Sequence, residues 1–122
     1  MEITAKETLS VLMTSLYVAK WESEDDNPHV RELAGSPPFA RLYNDVVDAM
    51  IGLDSARPDA VRNWQRWRAI EGRPDQLERT RVRIRSTQLW PSWSRQQKQQ
   101  MVELLLSPFT ATSATLEELL AL

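Results

Sequence analysis

The chain has 122 residues, of which 42% are hydrophobic and 26% charged, and its formal net charge at pH 7 is −2. These values are typical of one globular domain spanning residues 1–122, and they lack the low hydrophobicity and high net charge of a disordered chain, so most of the chain should fold. The absence of cysteine excludes disulfides, thiolate nucleophiles and cysteine metal sites. No apolar run is long enough for a membrane span and the N-terminus has no signal-peptide pattern, so we expect a cytoplasmic protein.

Helix-capping signals and apolar spacing predict helices through most of the chain. The predicted helices contain apolar residues spaced three and four apart, which form one face of an α-helix. Their starts are marked by Ser, Thr or Asn caps or by proline in the first turn. They begin near Thr4, Pro28, Ser36, Pro58, Ser94 and Thr115. The sequence therefore predicts an all-α fold, a compact bundle of five or six short helices.

The first predicted helix has two apolar sides. One runs from Leu9 to Tyr17, and Val11 and Val18 lie nearly opposite it. The simpler interpretation is a helix packed between other helices. The alternative is that Val11 and Val18 form an interface with a partner or with another copy.

Residues 77–89 suit a helix and a strand almost equally. As a helix they place Arg79 beside Arg83 and Arg81 beside Arg85. As a strand over residues 79–86 they alternate arginine with apolar and hydroxyl side chains. Because no second strand is evident to pair with, we predict a helix, and a lone strand at 79–86 is the alternative.

No motif in the sequence specifies a reaction. A P-loop, a dinucleotide-binding glycine motif, a nucleophile elbow and a zinc-protease motif are all absent. The single histidine, His29, has no cysteine or serine motif near it, and the acidic run at residues 22–26 does not match a calcium-binding loop. We therefore predict a protein that is not an enzyme and has no catalytic residue, metal site or cofactor.

Charge is distributed unevenly along the chain. Residues 1–56 carry four basic and ten acidic groups, whereas residues 57–98 carry eleven basic and four acidic groups. The basic stretch also holds four of the five tryptophans. Such asymmetry indicates either a surface that meets an anionic partner or a fold in which the acidic and basic parts pair with each other.

The arginine-rich stretch at residues 57–98 is the candidate functional feature. Basic side chains release counterions from a nucleic-acid backbone, and arginine can hold a phosphate with two hydrogen bonds. The leading prediction is a binding module, or a small subunit of a larger assembly, that contacts DNA or RNA backbone. The predicted contacts are Arg62, Arg66, Arg79, Arg81, Arg83, Arg85, Arg95 and Lys98, with Arg68 and Arg73 as outer contributors.

A second function is consistent with the same residues. The chain is alternatively a protein–protein interaction module, an inhibitor, adaptor or assembly subunit, whose basic face meets an acidic protein. This alternative accounts better for Val11 and Val18. The tryptophans could stack on unpaired bases, but burial in the core is favoured because each buries up to about 250 Å².

Overall fold

A computed structural model describes residues 6–24 and 27–122. Within these ranges the chain forms seven α-helices: α1 (Lys6–Tyr17), α2 (Pro28–Ala34), α3 (Pro37–Leu53), α4 (Pro58–Arg68), α5 (Pro74–Arg85), α6 (Arg95–Leu106) and α7 (Ser113–Leu120). The all-α prediction is confirmed, and the helix count is slightly higher than the five or six expected. None of the described helices is long and apolar enough to cross a bilayer.

Polar caps and prolines set the helix starts. Helices α2 to α5 each have proline in the first turn. At the start of α6, Ser94 Oγ accepts a hydrogen bond from the Gln97 amide at 3.2 Å, and Gln97 Oε1 accepts one from the Ser94 amide at 2.9 Å. This is the reciprocal capping box that the sequence predicts. The predicted cap at Thr4 lies outside the described residues.

The first helix does not stop at Tyr17 but continues as a π-helical turn over Val18–Glu22. The side chains of Lys20 and Trp21, adjacent in this turn, are both buried. Val11 and Val18 are 67% and 43% exposed. The interpretation that α1 is packed between other helices on both apolar sides is therefore wrong, and its second side faces solvent.

The ambiguous stretch is helical, and the alternative of a lone strand at 79–86 is wrong. Helix α5 covers Pro74–Arg85, and its Thr80 and Ile84, one turn apart, are fully buried. The one β-type pairing in the described ranges is an isolated bridge between Ala69 and Thr110, far from this stretch in sequence. A strand there would have no neighbour, whereas a helix satisfies its own backbone groups.

The core draws residues from most of the helices, and the tryptophans pack on it. Trp21 and Trp90 are buried, while the other three tryptophans are partly buried against the same core. Phe109 is central, because its ring centroid lies 5.6 Å from that of Trp21 and 5.1 Å from that of Trp67. The tryptophans are packing residues, as the sequence favours.

Candidate functional site

Two arginines of α5 bind the main chain at the end of the π-helical turn. Arg79 donates from Nη1 and Nη2 to the carbonyl oxygens of Trp21 and Ser23, and Arg83 donates from Nη2 to the carbonyl oxygen of Lys20. Carbonyl groups at the C-terminal end of a helix lack partners within it and carry a partial negative charge. Arg79 and Arg83 therefore cap the end of the first helix from a distant part of the chain.

Arg83 is an internal side chain. It is only 7% exposed, and its guanidinium carbon lies 5.0 Å from the centroid of the Trp21 ring, which is a cation–π distance. The prediction that Arg83 contacts a nucleic-acid backbone is wrong, because a buried guanidinium cannot reach a phosphate. Sequence reasoning counted its charge but had no signal for the carbonyl groups that hold it.

Lys20 is fully buried and caps α6. Its Nζ donates to the carbonyl oxygens of Leu104 at 2.8 Å and Ser107 at 2.6 Å, and to Ser107 Oγ at 2.8 Å. The pKa of Lys20 lies well below its ordinary value. Burial is the larger cause, and the positive charge of Arg83 adds to it. Three acceptors nevertheless match the three N–H groups of an ammonium. These contacts favour the charged form of Lys20. Its Nζ lies at the C-terminal end of α6, where the helix dipole is negative.

Other arginines of the basic stretch join separate helices. Arg81 binds Glu118 with 2.5 Å between Nη2 and Oε1, and Arg95 pairs with Glu117, so both fasten α7. The carboxylates raise the pKa of both arginines, and Arg95 lowers the pKa of Glu117. Ion pairs exposed to this degree contribute little to the free energy of unfolding, because water and salt screen them. They orient α7 more than they stabilise the fold.

Arg68 and Arg73, the outer contributors of the predicted surface, are also engaged inside the molecule. Arg68 donates to the carbonyl oxygen of Pro108 and to Asp48, each at 2.7 Å. Arg73 donates to the carbonyl oxygen of Trp67 at 2.7 Å, and its guanidinium carbon lies 4.5 Å from the Phe109 ring centroid. Many arginines of the basic stretch therefore form contacts within the folded chain.

Besides Arg95, which is exposed and paired with Glu117, four of the eight predicted nucleic-acid contacts remain on or near the surface. Arg62 is exposed and pairs with Asp59, and Arg66, one turn on, is exposed too. Arg85 is exposed, with its Nη1 3.7 Å from Glu78 Oε1. Lys98 lies over the Trp90 ring at 5.3 Å. Some arginines of the predicted surface bind other parts of the chain, and a few cations are exposed. The predicted residues therefore do not form one continuous basic face.

A groove lies between α2, α5 and α6, and no pattern in the sequence indicates it. Its volume is about 330 Å³, at the lower end of the usual range for binding pockets. Its lining is mainly apolar, and none of the described residues that line it is acidic. The lining residues are Arg31, Ala34, Gly35, Val82, Arg83, Ser86, Thr87, Met101 and Leu105. We call this surface the α2–α5–α6 groove.

Asp54 is a buried carboxylate just after α3. It accepts hydrogen bonds from Trp64 Nε1 at 3.0 Å, Arg57 Nη2 at 2.5 Å and Lys6 Nζ at 3.2 Å. These hydrogen bonds lower the pKa of Asp54 to about 2, and the bond from Trp64 has the largest effect. The carboxylate thereby ties α1 and α4 to the end of α3.

Replacing Asp54 with asparagine is expected to remove part of the acid sensitivity of the fold. Because its pKa falls from 3.8 to about 2 on folding, the charged carboxylate stabilises the fold fully above pH 4 and loses that effect as pH falls through 2. In thermal unfolding, Asp54→Asn should lower Tm at pH 7 and flatten its decline between pH 4 and 2. The exposed Asp45→Asn is the control, and equal slopes in both variants would contradict this role.

Within residues 6–24 and 27–122, no group of three or more His, Asp or Glu side chains is placed to hold a metal ion. Comparison with protein-family models found no match to the chain, and comparisons with curated proteins and with solved structures also found none. The geometry of the chain itself is accordingly the basis for a functional proposal.

Proposed function

We propose that the chain is a non-enzymatic protein-binding module, an adaptor or assembly subunit, and that it holds an apolar, acidic segment of a partner in the α2–α5–α6 groove. The observation that carries the proposal is the groove itself. It is concave and mainly apolar, and the exposed charged residue in its lining is Arg31. Exposed apolar surface bordered by charge of one sign is typical of a protein-binding site.

The edges of the groove support the same proposal. Val82 is 44% exposed at its α5 side, where a partner side chain would cover it. Arg31 is exposed on α2. An acidic residue in a partner would meet favourable charge there, while a basic residue would be repelled.

Blocking the groove is expected to abolish capture of the partner. Val82→Glu places a carboxylate on the apolar wall, and Leu53→Glu, at another exposed apolar position, is the matched control. Each chain is immobilised as bait in a nuclease-treated extract of its source cells, after thermal unfolding has shown that both variants fold. A protein captured by the wild type and Leu53→Glu but lost with Val82→Glu supports the proposal. A protein retained by Val82→Glu contradicts it.

Nucleic-acid backbone is a second candidate ligand, and the exposed pair on α4 favours it. Arg62 and Arg66 lie one turn apart and both are exposed. With two or three phosphate contacts instead of eight, the slope of log affinity against log salt should be about −2 to −3 for duplex DNA. Fluorescence anisotropy with a labelled duplex tests this, using Arg62→Met/Arg66→Met as the variant. Absence of binding by the wild type, or binding that salt does not affect, would contradict it.

A further inference from the structure

A small pocket lies between α1 and α4, beside the residue that precedes α5. Its volume is about 230 Å³, and its described lining residues are Met13, Thr14, Tyr17, Trp67 and Arg73. None of them is acidic, and none also lines the α2–α5–α6 groove. We call this surface the Arg73 pocket.

The guanidinium of Arg73 is held in one position by its neighbours. Its Nε donates to the carbonyl oxygen of Trp67 at 2.7 Å, and its guanidinium carbon lies 4.8 Å from the Trp67 ring centroid and 4.5 Å from the Phe109 ring centroid. Among the described residues, none accepts a hydrogen bond from Nη1 or Nη2 of Arg73. The two terminal nitrogens therefore form a preorganised fork, which can donate two hydrogen bonds to one carboxylate.

Arg73 also has no carboxylate partner among the described residues. Several other arginines of the basic stretch lie within 4.0 Å of an Asp or Glu oxygen, namely Arg57, Arg62, Arg68, Arg81, Arg85 and Arg95. Arg73 is half-buried between two aromatic rings, where water screens its charge less than at an exposed position. A ligand can supply the negative charge that no described residue provides.

Tyrosine hydroxyls near this fork are a second, independent observation. The Tyr17 hydroxyl accepts a hydrogen bond from Gln76 Nε2, so its own proton can be donated to a ligand. The Tyr43 hydroxyl is buried and has no hydrogen-bond partner among the described residues. Burial raises the pKa of Tyr43, and Tyr17 and Arg73 lie near enough to act on it too. The hydrogen bonds of these polar groups are thus not completed within the described chain.

We propose that the Arg73 pocket binds a small organic carboxylate. The carboxylate oxygens accept hydrogen bonds from Nη1 and Nη2 of Arg73 and from the Tyr17 hydroxyl, while the apolar body of the ligand contacts Met13 and Trp67. One guanidinium balances one negative charge, whereas a phosphate group carries nearly two at pH 7. The pocket is smaller than most sites for drug-sized ligands, so the ligand is compact. This binding activity goes beyond the proposed function, because it requires neither the groove nor a protein partner.

Titration of the ¹⁵N-labelled chain with benzoate, followed by NMR, tests the proposal. Benzoate should bind saturably, with a Kd in the millimolar range or tighter, and should shift the signals of Arg73 Nε–H and Trp67 Nε1–H. Benzamide has nearly the same shape without the charge and should bind at least about tenfold more weakly. Inorganic phosphate, added at the same ionic strength, should also bind more weakly than benzoate.

Three variants locate the binding. Arg73→Met removes the fork and keeps a similar stem, so benzoate binding should be lost. Arg62→Met removes an exposed arginine outside the pocket and is the matched control, which should bind as the wild type does. Tyr17→Phe keeps the ring and removes one donor, so it should raise the Kd about tenfold. Thermal unfolding checks that each variant folds, and Tyr17→Phe remains decisive if Arg73→Met does not fold.

The contrary results are distinct from those for the groove. The carboxylate proposal is overturned if the wild type shows no saturable shift with benzoate, or binds benzamide or phosphate as tightly as benzoate. It is also overturned if Tyr17→Phe binds as the wild type does, or if Arg62→Met weakens binding as much as Arg73→Met. Val82→Glu, which blocks the groove, should leave the benzoate titration unchanged.

Discussion

Trp21→Ala is expected to destabilise the fold by about 3–5 kcal/mol, the range measured for large-to-small core substitutions of this kind. The Trp21 side chain is 4% exposed and contacts the Phe109 ring. Its ring also lies against two cations, with Lys20 Nζ at 5.1 Å and the Arg83 guanidinium carbon at 5.0 Å. Removing it leaves a cavity and deprives both cations of an aromatic face.

Urea unfolding followed by circular dichroism measures this loss. Because domains of this size are stable by about 5–15 kcal/mol, the alanine variant should be partly unfolded or unfold at much lower urea. Trp21→Phe keeps an apolar ring and should lose less. A change below about 1 kcal/mol for Trp21→Ala would mean that the ring does not fill the core as described.

Arg83→Met is expected to destabilise the fold by about 1–3 kcal/mol, although methionine preserves most of the apolar stem. The loss arises because the buried carbonyl oxygen of Lys20 no longer receives a hydrogen bond from Nη2. Part of this loss of stability is offset because the variant also removes a positive charge beside Lys20, and that charge contributes to the lowered pKa of the lysine. Thermal unfolding should show a Tm several degrees lower than that of the wild type.

Local signals predicted the helices better than the helix boundaries. Ser94 and Gln97 cap α6 as predicted, because both partners lie within four residues of each other. The start of α7 was predicted at Thr115, but Thr112 is the cap, and its side chain accepts from the Thr115 amide. Glu71 accepts a hydrogen bond from the Thr112 amide at 3.0 Å and holds the chain extended to that point. This contact spans 41 residues, so a local pattern cannot reveal it.

The arginines illustrate what charge patterning can and cannot predict. The sequence left open whether the basic stretch meets an anion or pairs with the acidic part of the chain, and Arg68 with Asp48 shows the second arrangement. The acceptors of Arg79 and Arg83 are backbone carbonyl oxygens of the π-helical turn. Every residue has such a carbonyl, so only the fold identifies those that need a donor.

The groove could not be predicted because it exists only where three helices meet. Val82 lies in the stretch whose helical or strand character was ambiguous, and neither Arg31 nor Met101 stands out in the sequence. The exposure of Val11 and Val18 was one of two alternatives for α1. Apolar periodicity identifies a face but leaves open whether that face is covered within the chain or by a partner.

The central claim is that Arg79 and Arg83 of α5 hold this fold together, whereas Arg62 and Arg66 of α4 lie exposed on its surface. Urea unfolding of Arg83→Met beside Arg62→Met tests it most directly, because both variants remove one guanidinium and keep a similar stem. The account predicts a lower midpoint for Arg83→Met and a change within about 0.5 kcal/mol for Arg62→Met. Equal stability of the two variants would contradict it.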